Sequence, residues 1–117
     1  MPRIYRAALN TFRGLAHAGR NEAAVREELI VLAIAVPLGL WVAPNAAWYV
    51  AMIGSLFVVL AVELLNTAIE KLSDHVSPEW RTNIGLIKDY GSAAVFFGLC
   101  LAGMVWLVAL AVRFGFL

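Results

Sequence analysis

The run LIVLAIAVPLGLWVAPNAAWYVAMIGSLFVVLAV, Leu29 to Val62, carries no charge in 34 positions. A helix that crosses a membrane needs about 20 mostly apolar residues. The run is too long for one crossing and nearly long enough for two. Its one strong break is Ala43-Pro44-Asn45. Pro44 cannot continue a helix, and Asn45 is suited to cap the next. The run therefore predicts one span over about residues 25–42 and a second over about 46–67. Pro37 falls inside the first, where a kink is tolerated.

Outward from this run, the charges sit in blocks. Arg3 to Glu28 holds five arginines and three glutamates, and Glu63 to Asp89 holds three basic and five acidic residues. Tyr90 to Val112 is again uncharged, over 23 positions, and predicts a third span over 90–112. The composition agrees. Hydrophobic residues make up 62% of the 117 and charged residues 15%, against roughly 45–50% and about 25% in an ordinary soluble domain. Mean hydropathy is +0.82. A soluble monomer of this size has no core large enough for so much apolar surface. Disorder needs the opposite composition. The single cysteine excludes a disulfide framework and a cysteine-cluster metal site. A net charge of +1 gives no sign of nucleic acid as a partner.

The N-terminal segment lacks the continuous apolar region of a signal peptide. Ile4, Ala7, Ala8, Thr11, Leu15 and Ala18 fall at helical spacing, with arginines on the other faces. This predicts an amphipathic helix over about 3–18 lying on the membrane surface. The expected fold is thus all-α: a surface helix and three transmembrane helices in a single domain. Eight of the nine basic residues lie in the N-terminal segment and the second-to-third loop. That bias predicts a cytosolic N-terminus and an external C-terminus. Trp41, Trp48 and Tyr49 flank the outer turn as an aromatic belt would.

The motifs of nucleotide-binding glycine loops, zinc hydrolases and serine hydrolases are all absent from the sequence. The informative segment is Glu63-Leu-Leu-Asn66-Thr67-Ala68-Ile69-Glu70. Glu63, Asn66 and Glu70, at i, i+3 and i+7, form one stripe on a helix. Glu63 falls roughly 24 Å from the outer end of the second span, just inside the cytosolic edge of a core about 30 Å thick. A carboxylate there either reaches the head groups or serves a function, and its two polar neighbours on the stripe favour function. Desolvation would suit it to general-base work. Glu22 and Glu70 offer hard oxygens of the kind Mg²⁺ accepts beside phosphates. Lys88 is suited to phosphate, and Gly91 and Ser92 to close approach of a polar group. Singly, each of these fits a solvated helix end. Together they suit phosphoryl transfer: metal on the phosphates, cations on the developing charge, and a base on the attacking hydroxyl. A small ion-coupled transporter using Glu63 is the competing class, and it would place the carboxylate nearer the midplane.

The segments Asn21-Glu22-Ala-Ala-Val-Arg26-Glu-Glu28, Glu63 to Glu70, and Lys88-Asp89-Tyr-Gly91-Ser92-Ala-Ala resemble the prokaryotic integral-membrane diacylglycerol kinase family. The resemblance covers nearly the whole chain. It implies a homotrimer in the bacterial inner membrane that moves the γ-phosphate of ATP to a lipid hydroxyl, with Mg²⁺. By position it implies Glu63 as catalytic base, Asn66 as the motif asparagine, and Glu22 and Glu70 as metal ligands. It implies nucleotide contacts at Arg3, Asn10, Glu22, Glu70, Glu79, Trp80, Arg81, Lys88 and Asp89. Lipid contacts are implied at Glu28, Glu63 and Ser92. Asn10 and Gly19 depart from the tyrosine and tryptophan that family members carry there. Undecaprenol kinases share the fold and core motif, and undecaprenol is the alternative acceptor.

Overall fold

The computed structural model describes residues 2–79 and 81–117. Four helices follow one another: α1 (Pro2–Asn21), α2 (Ala23–Val42), α3 (Ala46–Val76) and α4 (Thr82–Arg113). Among the described residues there is no strand.

Each boundary has a local cause. Pro2 opens α1, where its missing N–H costs nothing. Between α1 and α2 only Glu22 is non-helical, with φ −117° and ψ 114°. Arg26 bridges this corner by donating to the carbonyls of Arg20 (3.2 Å) and Gly19 (3.5 Å), two acceptors at the unpaired end of α1. The break at Ala43–Asn45 is where the sequence puts it. Asn45 caps α3, its Oδ1 accepting from the Trp48 N–H at 3.0 Å. Pro37 lies within α2, and the Tyr49 hydroxyl of α3 donates to the Val36 carbonyl beside it at 2.8 Å.

α3 and α4 form the main pair. Along α4 the buried positions are Gly85, Gly91, Gly98, Ala102 and Ala109. Their separations of six, seven, four and seven residues, near one or two helical turns, keep one small-residue seam facing α3, as close helix packing in membranes favours. Gly98 meets the Val59 backbone there. Beyond it, the Trp106 indole donates to the Met52 carbonyl at 3.1 Å. Val42, Met52 and Ala109 make the small apolar core at the loop end.

Both α3 and α4 are long and apolar enough to cross a membrane. Each also runs past the span read from hydropathy. α3 continues nine residues beyond Thr67, and α4 begins eight before Tyr90. These extensions carry the charged residues Glu70, Lys71 and Asp74 of α3 and Lys88 and Asp89 of α4. α2 carries Arg26, Glu27 and Glu28 in its first turns, so its uncharged stretch is Leu29–Val42, roughly 21 Å of helix. α1 has no buried residue and packs mainly on α2.

Candidate active site

Because α3 is unbroken from Ala46 to Val76, Glu63, Asn66 and Glu70 share one stripe. Glu63 and Asn66 are buried, at 8% and 7% exposure. Asn66 donates through Nδ2 to Glu70 Oε1 at 2.9 Å. Its Oδ1 is buried and has no hydrogen-bond partner among the described residues. The carbonyl side of this amide rests on Gly91 of α4, where an added Cβ would overlap Oδ1. The glycine is therefore needed for close approach, and the polar group that approaches it is Asn66.

Glu63 faces α2 as well. A cavity of about 400 Å³ is lined by Glu27, Glu28 and Val31 of α2, Glu63 of α3, and Val95 and Leu99 of α4, among others. Its wall is mainly apolar. Glu28 Oε1 is buried without a hydrogen-bond partner among the described residues. Glu70 and Glu22 lie within electrostatic reach of Glu63, and Glu63 within reach of Glu28. Four carboxylates from two helices and the corner between α1 and α2 thus lie at one end of the bundle.

Cations stand on the solvent side of this cluster. Lys71 pairs with Glu22 at 2.8 Å. The hydrogen bond and charge of Glu22 hold the exposed Lys71 ammonium above its ordinary pKa. Lys88 pairs with Asp74 at 2.9 Å, joining α4 to the end of α3. Neither partner was singled out from the sequence. Asp74 had a readable signal: it stands eleven residues after Glu63, three helical turns on, and extends the same stripe. Lys71 had none, because its pairing with Glu22 depends on how α1, α2 and α3 pack.

Other expected residues are not gathered here by a single chain. Arg3 and Asn10 on α1 are exposed and make no side-chain hydrogen bond or ion pair among the described residues. Ser92 is exposed and does not line the cavity. Glu79, Arg81 and Asp89 are exposed near the α3–α4 turn and the first turns of α4. Trp80 lies outside the described residues.

Each metal-ligand candidate keeps an oxygen in reserve. Glu22 engages Oε1 with Lys71, and Glu70 engages Oε1 with Asn66. Among the described residues no three His, Cys, Asp or Glu side chains converge as a complete cage. The second oxygens of Glu22 and Glu70 are hard donors of the kind Mg²⁺ accepts, since it takes one or two carboxylates and completes its shell with water and substrate phosphates.

The chain matches the family model described as prokaryotic diacylglycerol kinase over residues 9–110. It is 38% identical to a diacylglycerol kinase of Escherichia coli, over 97% of this chain and 93% of the relative. The diacylglycerol kinase of Haemophilus influenzae is 38% identical over 82% of this chain and 81% of its own. That of Pseudomonas aeruginosa is 33% identical over 91% and 86%. Extended over nearly the full length, this similarity makes the chain a member of the prokaryotic diacylglycerol kinase family.

Proposed function

We propose that this chain is an ATP-dependent diacylglycerol kinase acting at the cytosolic face of a bacterial inner membrane. The γ-phosphate passes to the acceptor hydroxyl, giving phosphatidic acid and ADP. The observation that carries the reading is the position of Glu63. Its carboxylate lines a mainly apolar cavity on one side and begins a polar stripe leading to water on the other.

Each part follows from that placement. The acceptor hydroxyl enters the cavity from the bilayer, where Glu28 lines the wall beside Glu63. Glu63 takes the hydroxyl proton as the oxygen attacks phosphorus, and the P–O bond to ADP breaks in line. Asn66 holds Glu70 in place by its amide. Lys88 and Lys71, at the solvent edge, are placed to meet the phosphates. Glu22 and Glu70 are the residues that would hold Mg²⁺, which would neutralise charge on the nucleotide phosphates. The membrane fixes the depth of the acceptor, which lowers the entropic cost of encounter.

Three spans (α2, α3 and α4) with α1 on the cytosolic surface and the C-terminus outside complete the proposed topology. The charge bias of the loops supports it. A homotrimer is proposed for the assembly. Arg3 and Asn10 make no side-chain hydrogen bond or ion pair among the described residues, which leaves them available to a nucleotide site shared between copies. The bundle also presents broad apolar faces such as Ile34, Phe57, Leu65 and Phe97 to lipid or to other copies.

The test is transfer from radiolabelled ATP by purified protein in mixed micelles, with diacylglycerol and undecaprenol at equal mole fraction. Label should appear chiefly in phosphatidic acid. Preferential labelling of undecaprenol would overturn the acceptor while leaving phosphoryl transfer intact. Label in neither lipid would remove the kinase reading.

A further inference from the structure

At the other end of the bundle α2 stops, α3 begins and α4 stops. That end carries one charged side chain, Arg113. Every Asp and Glu lies between Glu22 and Glu28 or between Glu63 and Asp89. At 1.5 Å per residue, Glu63 is roughly 25 Å along α3 from its start, and Asp89 roughly 36 Å along α4 from Arg113. Both lengths far exceed a Debye length of about 8 Å. The two ion pairs among the described residues, Lys71–Glu22 and Lys88–Asp74, also belong to the carboxylate end. No acidic side chain of this chain neutralises Arg113.

The guanidinium is nevertheless held in a defined place. Nε donates to the Trp41 carbonyl at 3.0 Å, an acceptor in the last turn of α2. The charge sits 5.8 Å from the ring centroids of both Trp41 and Phe114, which meet edge to face at 5.9 Å. Phe114 is fixed by a Schellman turn. Gly115 takes φ +84°, Phe116 N–H donates to the Ala111 carbonyl at 2.8 Å, and Gly115 N–H donates to Val112 at 3.3 Å. The two terminal amino groups of Arg113 have four more donors to offer, and no side-chain or backbone acceptor meets them among the described residues. Arg113 lines a cavity of about 460 Å³ together with Leu40, Trp41, Ala43, Pro44 and Val112.

An arginine with a free fork, fixed against two rings and making no ion pair among the described residues, matches a phosphate group in shape and charge. Its depth is that of the aromatic belt, where lipid head groups lie. We propose that Arg113 binds the phosphate of an anionic phospholipid at this end of the bundle. The pocket holds the head group, and the acyl chains run past the exposed Leu40 side chain toward the bilayer. A lipid seated there bridges α2 and α4. The proposal rests on the membrane reading of the fold and is independent of the kinase chemistry.

Native mass spectrometry and thermal melting in neutral detergent test it. Phosphatidylglycerol, phosphatidylcholine and sn-glycerol 3-phosphate are titrated into the full chain. They are also titrated into Arg113→Gln and into Arg13→Gln, which removes an exposed α1 charge. Phosphatidylglycerol should bind and raise the melting temperature of the wild type and Arg13→Gln, each measured from its own lipid-free baseline. Arg113→Gln should bind it roughly tenfold more weakly, as loss of charge-assisted hydrogen bonds requires. Phosphatidylcholine and glycerol phosphate should give no comparable shift. Equal phosphatidylglycerol affinity in Arg113→Gln overturns the site. Equal response to phosphatidylcholine overturns the anionic preference, and equal response to glycerol phosphate overturns the lipid. If Arg113→Gln does not fold, a photoreactive head-group analogue of phosphatidylglycerol decides on the wild type. Labelling at residues 40–44 or 112–114 supports the proposal; labelling confined to α1 contradicts it.

Discussion

The two ends of this bundle treat polar groups in opposite ways. At the loop end, the polar side chains other than the terminal amino groups of Arg113 are engaged. Asn45 caps α3, Tyr49 donates to Val36, and Trp106 donates to Met52. Ser55, one turn below Met52, returns its hydroxyl to the Met52 carbonyl at 2.7 Å. At the carboxylate end, Glu63 is buried, and Glu28 and Asn66 each keep a buried oxygen without a hydrogen-bond partner among the described residues. An unpaired buried acceptor costs on the order of 1–3 kcal/mol. The loop end is arranged for stability. The carboxylate end gives up stability to keep acceptors open, and open acceptors are what a proton, a metal or a substrate hydroxyl would fill. Substitutions should therefore separate by end: activity lost without stability at one, stability lost without activity at the other.

The largest effect expected is from Glu63→Gln. Loss of a general base should lower the transfer rate by about 10²–10⁴-fold. Melting temperature should hold or rise, because a buried charge is replaced by a neutral amide. Assay at saturating ATP and diacylglycerol, with a parallel melt, checks both. Retention of more than about a tenth of the rate would remove the residue from the chemistry.

Next in size are Glu22→Gln and Glu70→Gln. Each removes an anionic oxygen, and each should raise the Mg²⁺ concentration for half-maximal rate by roughly tenfold or more. Glu70→Gln should also disturb Asn66, whose amide donates to it. Unchanged Mg²⁺ titrations in both variants would make these carboxylates ordinary solvated helix ends.

Gly91→Val should blur the contrast between the ends, because it strikes packing and site together. Its side chain overlaps Asn66 and forces the α3–α4 seam apart. Overpacking of this kind costs about 1–3 kcal/mol, and the displaced Asn66 should take most of the activity with it. A variant with wild-type melt and rate would show that the seam closes elsewhere. The smallest effect belongs to the loop end. Asn45→Ala removes the α3 cap and should cost about 1 kcal/mol of stability with little change in rate per folded chain, read by melting and by transfer at low temperature.

Much of this architecture was legible in the sequence because its signals are local. The break at Ala43–Asn45, the capping role of Asn45 and the stripe of Glu63, Asn66 and Glu70 each depend on a few neighbouring residues. Hydropathy marked where the apolar runs end but not where the helices end, since α3 and α4 continue beyond them. Lys88 and Asp89 therefore stand inside α4 rather than at its opening. Gly91 was readable as a point of close approach, while its partner Asn66 came only with the packing of α3 on α4. The pairing of Lys71 with Glu22 is wholly tertiary and left no mark on spacing. Arg113 shows the reverse: its isolation is plain in the sequence, and only its placement against Trp41 and Phe114 needed the fold.

The central claim is that Glu63 activates the acceptor hydroxyl rather than holding the nucleotide. The direct measurement is the split between transfer rate and nucleotide affinity in Glu63→Gln. Equilibrium ATP binding with Mg²⁺ and radiolabel transfer to diacylglycerol would be measured on one preparation. The account predicts that transfer collapses by at least about a hundredfold while ATP affinity stays within about twofold of wild type, the spread of independent sites. A fall in ATP affinity as large as the fall in transfer would contradict it, making Glu63 a binding residue and leaving the base to be found elsewhere.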